Sequence, residues 1–381
     1  MTPFYNQEQE SFRKKVRQFA ETEIKPLVAE LDENETFSVE LAQKMGKAGL
    51  YGIDIPKAYG GQGLDTLSYI IAVEELSRID GSQAVTMAAH NSLGVAPIYN
   101  FGTEEQKKQL LPNLLNGNKL WAFGLTEENA GSDARGVDTV ASKTDEGWEI
   151  SGDKRYITNG SNELMAGITV LAKTGVKNDK PTYTTFLVDK NTPGFSAKRT
   201  LGKMMWRASD TAEIQLDKCM VSDQDILGAK DKGLSQMLKT LDSGRLSIAA
   251  MGLGLAQGAF EMALEYAKNR KQFGKSISSF QAIQFKLADM DLKIELARNM
   301  LYKACWLKDN HIEYSKEAAM AKLYCSEIAG EVSDEAIQIF GGAGLFKSSD
   351  IERFYRDHRI LRIGEGTTEI LKMVISRNLG I

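Results

Sequence analysis

What most constrains the fold of this chain is a change of hydrophobic period partway along it. In the N-terminal part, Phe12, Val16, Phe19, Ala20 and Ile24 recur at three- and four-residue steps, with Lys14, Lys15 and Arg17 opposite, until Pro26 disturbs the run. A second helix is predicted from Ser38 to Ala48, ending at Gly49, and the loop Tyr59-Gly60-Gly61-Gln62-Gly63 precedes an apolar segment from Leu67 to Leu76. From Trp121 to about residue 227 the pattern becomes short β-branched runs, among them Gly147–Ile150, Ile168–Leu171 and Tyr183–Val188, broken by Gly, Asn, Asp and Pro. The helical period returns near Leu234 and persists through Ile248–Ala267, Ile283–Leu307, Ala318–Ile339 and Glu369–Arg377. The expectation is an α+β protein: an N-terminal all-α domain (1–120), a middle β-barrel or sandwich domain (121–230) and a C-terminal four-helix bundle (231–381).

Composition narrows the chemistry. Three cysteines (Cys219, Cys305, Cys325) and three histidines (His90, His311, His358) are scattered singly. That distribution suits neither a disulfide framework nor a metal-ligand set, so no metal is expected. No Gly-x-Ser-x-Gly elbow is present. A formal charge of −4 with both signs intermixed gives no footprint for nucleic acid or an anionic membrane. No run of about 18 apolar residues reads as a membrane span, and Met1-Thr2-Pro3-Phe4 leads into polar residues rather than a signal-peptide core, so a cytoplasmic location is expected. Chemistry then falls to carboxylates or to a bound cofactor.

Three stretches carry candidates. Phe123–Asp133 opens the β region with Thr126, Asn129, Gly131, Ser132 and Asp133, which supply hydroxyls, an amide and free backbone N–H groups suited to polar ring edges and phosphates. In Lys154–Gly160, strand alternation puts Tyr156 and Thr158 on one face, where a ring can stack on Tyr156 while the Thr158 hydroxyl bonds its edge. The third is Ile363-Gly364-Glu365-Gly366-Thr367-Thr368-Glu369-Ile370, a carboxylate between two glycines just ahead of the last apolar helix. Alone, Glu365 reads as an acid near a helix start capped by Thr367 or Thr368. Gly252-Leu253-Gly254-Leu255-Ala256-Gln257-Gly258 imitates a loosened dinucleotide fingerprint but has a helical period and no preceding strand, so its glycines are read as helix-contact positions.

Together the motifs resemble those of the acyl-CoA dehydrogenase family, in its short-chain, butyryl-like branch, over essentially the whole chain. Four separated motifs carry the likeness: Leu125–Asp133, Tyr156-Ile157-Thr158, Arg270-Lys271-Gln272-Phe273-Gly274, and Gln338-Ile339-Phe340-Gly341-Gly342 with Glu365-Gly366-Thr367. The resemblance implies an FAD held between the β domain and the C-terminal helices. Phe123, Leu125, Thr126, Gly131 and Ser132 would border the flavin and acyl thioester, with Ser132 also on the substrate. Tyr156 would stack on the isoalloxazine, beside Ile157, and Thr158 would bond near N5. Arg270, Gln272, Phe273 and Gln281 would hold the pyrophosphate and adenosine half of a flavin bound mainly by a neighbouring subunit, and a guanidinium suits that role because it pairs phosphate oxygens bidentately. Gln338, Ile339, Gly341, Gly342, Thr367 and Glu369 would complete that site.

Asp242 and Arg245, otherwise an ordinary i, i+3 pair, match the family's segment beside the CoA pantetheine, and by the same resemblance Gly366 would adjoin the substrate. Some members carry the catalytic glutamate at the position of Gly244; with glycine here, Glu365 is the only matching base. The implied reaction is removal of the pro-R α-proton by Glu365 and of the β-hydrogen as hydride to flavin N5, giving a trans-2-enoyl-CoA. Electron-transferring flavoprotein would be the acceptor and a homotetramer the assembly. Tyr156 and Gly364 depart from the tryptophan or phenylalanine and the tyrosine that many members have, and the second departure leaves branched or alicyclic acyl groups open. The alternatives are the enoyl-CoA reductase direction, an acyl-CoA oxidase, and a non-catalytic scaffold.

Overall fold

The computed structural model describes residues 6–381; the segment Met1–Phe4, read above for the absence of a signal peptide, lies outside the described residues. Seven helices come first: α1 (Gln7–Phe19), α2 (Val28–Glu33), α3 (Val39–Lys47), α4 (Thr66–Ser77), α5 (Gly81–Ala89), α6 (Ala96–Phe101) and α7 (Glu104–Leu115). Polar caps set their starts, as Asn6 does for α1, Ser38 for α3, Asp65 for α4 and Thr103 for α7, each side chain accepting a backbone N–H that the helix itself leaves unpaired.

Helix α4 is buried on every side. It nonetheless carries Glu74 and Glu75, and Arg13, Arg17, Arg78 and Arg298 converge on them, with Tyr302 donating to Glu74 at 2.7 Å. This network locks α1 and α4 to a later helix of the chain. Truncating one member would strand a buried charge, at a cost of about 3–5 kcal/mol. His90, unassigned from sequence, is a core residue: its Nε2 meets Leu114 O at 2.8 Å and its Nδ1 accepts from Trp121 N at 3.2 Å. Burial lowers its pKa to about 4, so it stays neutral and hands the helical part over to the first strand.

Seven strands follow: β1 (Leu120–Gly124), β2 (Val140–Thr144), β3 (Gly147–Thr158), β4 (Met165–Lys177), β5 (Lys180–Asp189), β6 (Phe195–Arg199) and β7 (Thr211–Val221). They form one mixed sheet in the order β1-β4-β2-β3-β7-β6, with β5 also on β4; β1 runs parallel to β4, while β3–β7, β4–β5 and β6–β7 are antiparallel. Inward residues Trp148, Ile150, Ile168, Val170, Phe186, Val188 and Ile214 make its own core.

The C-terminal part comprises α8 (Gly233–Asn269), the short hairpin β8 (Lys271–Gln272) and β9 (Lys275–Ser276), then α9 (Gln281–Asp309), α10 (Ser315–Phe340), α11 (Ile351–Asp357) and α12 (Thr368–Asn378). Helix α10 packs on α8, α9 and α12, and α4 packs on α8, so the N-terminal and C-terminal helices share one core. By length and composition α8 is apolar enough to cross a membrane, but 78% of its most apolar stretch is buried inside the fold, as in the core helix of a folded domain. The glycine run on α8 brings helices together. A Cβ at Gly254 would fall 2.3 Å from Glu74 O, and one at Gly252 would fall 2.6 Å from Cys325 O.

Candidate active site

The central carboxylate stands in a turn that the chain would not adopt without support. Glu365 has φ +53° and Gly366 φ +104°, and Thr367 then caps α12 by accepting from Ile370 N at 3.3 Å. A left-handed glutamate is uncommon, and the strain, of order 1–3 kcal/mol, turns its side chain away from the helix that follows. The carboxylate lands on α8: a Cβ placed on Gly244 would lie 1.8 Å from Glu365 Oε2. Any larger residue at Gly244 would therefore displace the carboxylate.

Although the backbone here is partly open, Oε2 itself has no solvent access and no hydrogen-bond partner. Burial raises the Glu365 pKa to about 7, against the opposing pull of Lys322 and then Arg245. Arg245 is 6% exposed; its Nη1 donates to Asp242 at 2.6 Å and its Nε, also buried, has no partner. Asp242 additionally accepts from Ser315 Oγ at 3.1 Å, and burial raises its pKa despite Arg245. Two buried polar atoms without partners, the Oε2 acceptor of Glu365 and the Nε donor of Arg245, thus belong to one site. Buried groups left in this state are the mark of a place where something polar docks.

The loop after β1 borders the same helix. Leu125 is buried in a cluster with Ala130, Val137 and Met237, against which Phe123 and Leu241 pack, so Thr126–Asp133 is held beside the stretch of α8 that carries Asp242 and Arg245. The loop is pinned by a residue the sequence reading overlooked. Glu127, only 7% exposed, accepts from Thr139 Oγ1 at 2.6 Å, from Thr139 N at 3.1 Å and from Lys154 Nζ at 2.6 Å. Lys154 is wholly buried and also donates to Leu171 O at 2.9 Å. Burial alone would raise the Glu127 carboxyl, but Lys154 and these donors hold it below its ordinary value, so the pair is ionised. The signal was available: Lys154 falls at an inward position of a strand, where an unpaired ammonium could not be buried.

Strand β3 departs from simple alternation where Tyr156 sits. The register with β7 slips between Lys154 and Ile157, and Tyr156 has φ +61°. This bulge re-aims the strand: Tyr156 is 70% exposed, Ile157 buried and Thr158 half-buried. A ring so exposed on a bulged strand is a platform for stacking. Gly131, Gly341 and Gly342 have open space where a Cβ would stand, so a ligand can come close to the backbone there. These features suit the parts of a flavin dinucleotide, a planar ring system and phosphates, and the residues present fit FAD.

Four of the remaining candidates lie together in a second patch. Arg270, Gln272, Phe273 and Gln281 are exposed around the β8–β9 hairpin, with Phe273 92% exposed and at φ +51°. The hairpin packs on α8 and the turn after it on α9. Gln338, Gly341 and Gly342 end α10 nearby, where Phe340 stacks on Tyr266 of α8 at 4.2 Å; Gln338 is exposed and Ile339 buried. Thr367 is half-buried as a cap, and Glu369 is exposed in the first turn of α12. Sequence reasoning missed Lys322 of α10 as well. It is fully buried and its Nζ donates to Gly366 O at 2.6 Å.

Comparisons with known proteins agree with this geometry. Family models for the acyl-CoA dehydrogenase N-terminal, middle and C-terminal domains match residues 6–118, 122–219 and 231–380. The chain is 48% identical over 373 residues to a probable acyl-CoA dehydrogenase of Bacillus subtilis (strain 168), covering 98% of each. It is 44% identical over 369 residues to the short-chain specific acyl-CoA dehydrogenase of Clostridium acetobutylicum, covering 97% of each. To a caffeyl-CoA reductase-Etf complex subunit of Acetobacterium woodii it is 41% identical over 374 residues, covering 98% of each.

Among solved structures, butyryl-CoA dehydrogenase from Megasphaera elsdenii superposes with TM-score 0.96 at 40% identity over 100% of both chains. A chain from work on the electron transferring flavoprotein of Acidaminococcus fermentans does so with TM-score 0.96 at 41% identity, over 100% of this chain and 99% of that one. A glutaryl-CoA dehydrogenase from Mycobacterium smegmatis in complex with FADH2 gives TM-score 0.93 at 31% identity, over 99% and 95%. Fold, flavin-compatible surface and buried carboxylate converge with these likenesses: the chain belongs to the acyl-CoA dehydrogenase family, FAD-dependent oxidoreductases acting on acyl-CoA.

Proposed function

We propose that the protein removes hydrogen across the α,β-bond of a short-chain acyl-CoA with room for a branched or alicyclic group, with Glu365 as the base and electron-transferring flavoprotein as the acceptor. The observation that carries this reading is the unpartnered, solvent-free Oε2 of Glu365 beside Arg245 and Lys322. A weakly acidic α-proton needs a positioned carboxylate whose pKa stands near the working pH, and burial supplies both conditions. FAD, when bound, supplies the hydride acceptor. The backbone N–H of Glu365 is the donor offered to the thioester oxygen as negative charge develops there. Phe123, Leu125, Thr126, Gly131, Ser132, Tyr156, Ile157 and Thr158 are assigned to the flavin ring and thioester, and Asp242, Arg245 and Gly366 to the substrate. Arg270, Gln272, Phe273, Gln281, Gln338, Ile339, Gly341, Gly342, Thr367 and Glu369 are assigned to the dinucleotide.

The exposed Tyr156 and Phe273 support a site completed between subunits of a homotetramer. The likeness to the Etf-complex subunit and to the chain from the flavoprotein study supports the acceptor. Buried, unpaired Cys219, Cys305 and Cys325 are compatible with a cytoplasmic location. Domain limits of 1–120, 121–230 and 231–381 follow the helix–sheet–helix order.

Glu365→Gln tests the assignment: the purified variant should be yellow and FAD-loaded, and anaerobic addition of butyryl-CoA should fail to bleach it. Bleaching at the wild-type rate would overturn it. A second reading, enoyl-CoA reduction in the cell, is favoured by the likeness to the caffeyl-CoA reductase-Etf complex subunit and to a 3-(aryl)acrylate reductase of Clostridium sporogenes, 41% identical over 376 residues. Rates of both half-reactions with reduced and oxidised flavoprotein partner decide between them.

A further inference from the structure

We propose that Lys322 is a positioning residue for the base, fixing the turn that carries Glu365 and holding its carboxylate in the ionised, proton-accepting form; this rests on Glu365 being the base. Lys322 lies on α10, forty-four residues before Gly366, with no exposed surface. An ammonium has three donors, and burying it costs several kcal/mol unless they are satisfied or an opposite charge stands by. Among the described residues, one acceptor takes a hydrogen bond from it: Gly366 O at 2.6 Å. That carbonyl belongs to the second residue of the left-handed pair formed by Glu365 and Gly366, so the bond clamps the strained turn from its C-terminal side. The remaining compensation has to come from a nearby anion.

The charged and titratable groups around Lys322 are few. Glu365 presents its carboxylate from the turn, Arg245 comes from α8, and Glu327 lies on α10 itself. Tyr69 of α4 lies within electrostatic range of Glu365, its hydroxyl bonded to Ala88 O at 3.1 Å and to Ser247 Oγ at 2.8 Å. Glu327 is already engaged by Arg362 at 3.0 Å and by Thr368 Oγ1 at 3.1 Å, and Arg245 is engaged by Asp242 at 2.6 Å. Glu365, whose Oε2 has no partner, is therefore the anion that Lys322 balances. Without the ammonium, burial would act on Glu365 with less opposition, and more of the enzyme would hold a protonated, inactive base at neutral pH.

The test is anaerobic stopped-flow reduction of the FAD holoenzyme by butyryl-CoA across pH 5.5–9.5 (about four pH units, wide enough to define a limb). It compares wild type, Lys322→Met, Lys322→Gln, Lys322→Arg and Glu365→Gln. Both neutral variants should move the ascending limb up by about one pH unit, so that reduction is roughly fivefold slower at pH 7, about tenfold slower at the acid end of the range, and recovers in alkali. Lys322→Arg should leave the limb near the wild-type position. An unmoved limb in the neutral variants, or a uniform loss at every pH with no alkaline recovery, would overturn the proposal. Lys322→Gln still offers an amide donor to Gly366 O, so the turn keeps its clamp. If it nonetheless fails to bind FAD while Lys322→Arg binds it, the charge serves folding and the proposal falls. Persisting reduction in Glu365→Gln would instead sink the underlying assignment of the base.

Discussion

The Cβ position of Gly244 lies 1.8 Å from Oε2 of Glu365, so one residue's missing side chain is the space the other's carboxylate occupies. Gly244→Ala should expel the carboxylate from that space. Because the obstructed atom ends a rotatable side chain, the fold should survive with FAD bound. Flavin reduction by acyl-CoA should slow by at least about tenfold, since a small misplacement of a base is costly. Stopped-flow rates together with the flavin absorbance of the purified variant check this.

Burial of Glu365 also sets a pH dependence of stability. Its pKa rises from an ordinary 4.5 to about 7 in the folded protein. Across that interval the unfolded chain sheds the proton while the native one retains it. The contribution is therefore fully present below the unfolded value and lost as pH rises through the folded one. Glu365→Gln has no such loss, so its melting temperature relative to wild type should climb between pH 4.5 and 7 and then level off. The total change is at most about 3.4 kcal/mol. Calorimetric scans at several pH values measure it, and a constant gap would contradict it.

Lys154 and Glu127 hold the loop that carries Thr126 and Ser132. Lys154→Met alone leaves the Glu127 carboxylate buried without its cation and should cost about 3–5 kcal/mol, with weakened FAD retention. Adding Glu127→Leu removes the stranded charge but leaves the buried Thr139 N–H and hydroxyl without their acceptor, so only part of the stability should return. Urea unfolding of the two single variants and the double variant gives the coupling energy.

Gly364 tests acyl specificity. The three atoms nearest to a Cβ there belong to Ile360, with O at 3.7 Å, Cγ1 at 3.8 Å and Cδ1 at 3.9 Å, all ordinary contact distances. Gly364→Tyr should be accepted by the fold and fill space beside Glu365. Activity on isobutyryl- or cyclohexane-carboxyl-CoA should fall at least about tenfold relative to butyryl-CoA, the scale on which pocket volume discriminates. Steady-state kcat/KM with the three thioesters checks this, and an unchanged ratio would locate the specificity elsewhere.

Phe273 is almost fully exposed and touches Phe280 edge-on at 6.0 Å. With a side chain so free, Phe273→Asp should leave the secondary structure intact but lower FAD content and destabilise the assembled oligomer. Light scattering and flavin-to-protein ratio report on both. Full occupancy and unchanged mass would argue against a subunit-shared site.

Much of the fold was legible because it rests on local periods. The 3.6-residue recurrence in α1, α8, α9 and α10 and the β-branched runs of β3, β4 and β5 are short-range patterns, and Ser38, Asp65 and Thr103 mark helix starts chemically. What local pattern could not show was the polar interior. Glu74 and Glu75 lie in a run that reads as apolar, and the arrival of Arg13, Arg17 and Arg298 from other helices makes their burial tolerable. The bulge at Tyr156 escaped the alternation rule for a related reason: it depends on the register with β7, not on the residues of β3 alone.

The site divides along the same line. By itself the sequence determined which residue types were available: a carboxylate flanked by glycines, a glycine at Gly244, an Asp242–Arg245 pair one helical turn apart, and an aromatic followed by a threonine on a strand. Only the tertiary structure decided that Glu365 points into α8 instead of solvent, that Oε2 and Arg245 Nε are left unpartnered, and that Lys322 grips the Gly366 carbonyl. The physical reason is that a carboxyl's proton affinity and aim come from desolvation and from charges near it in space. Here those charges come from α8 and α10, elements far from residue 365 along the chain and brought to it by the packing of the core.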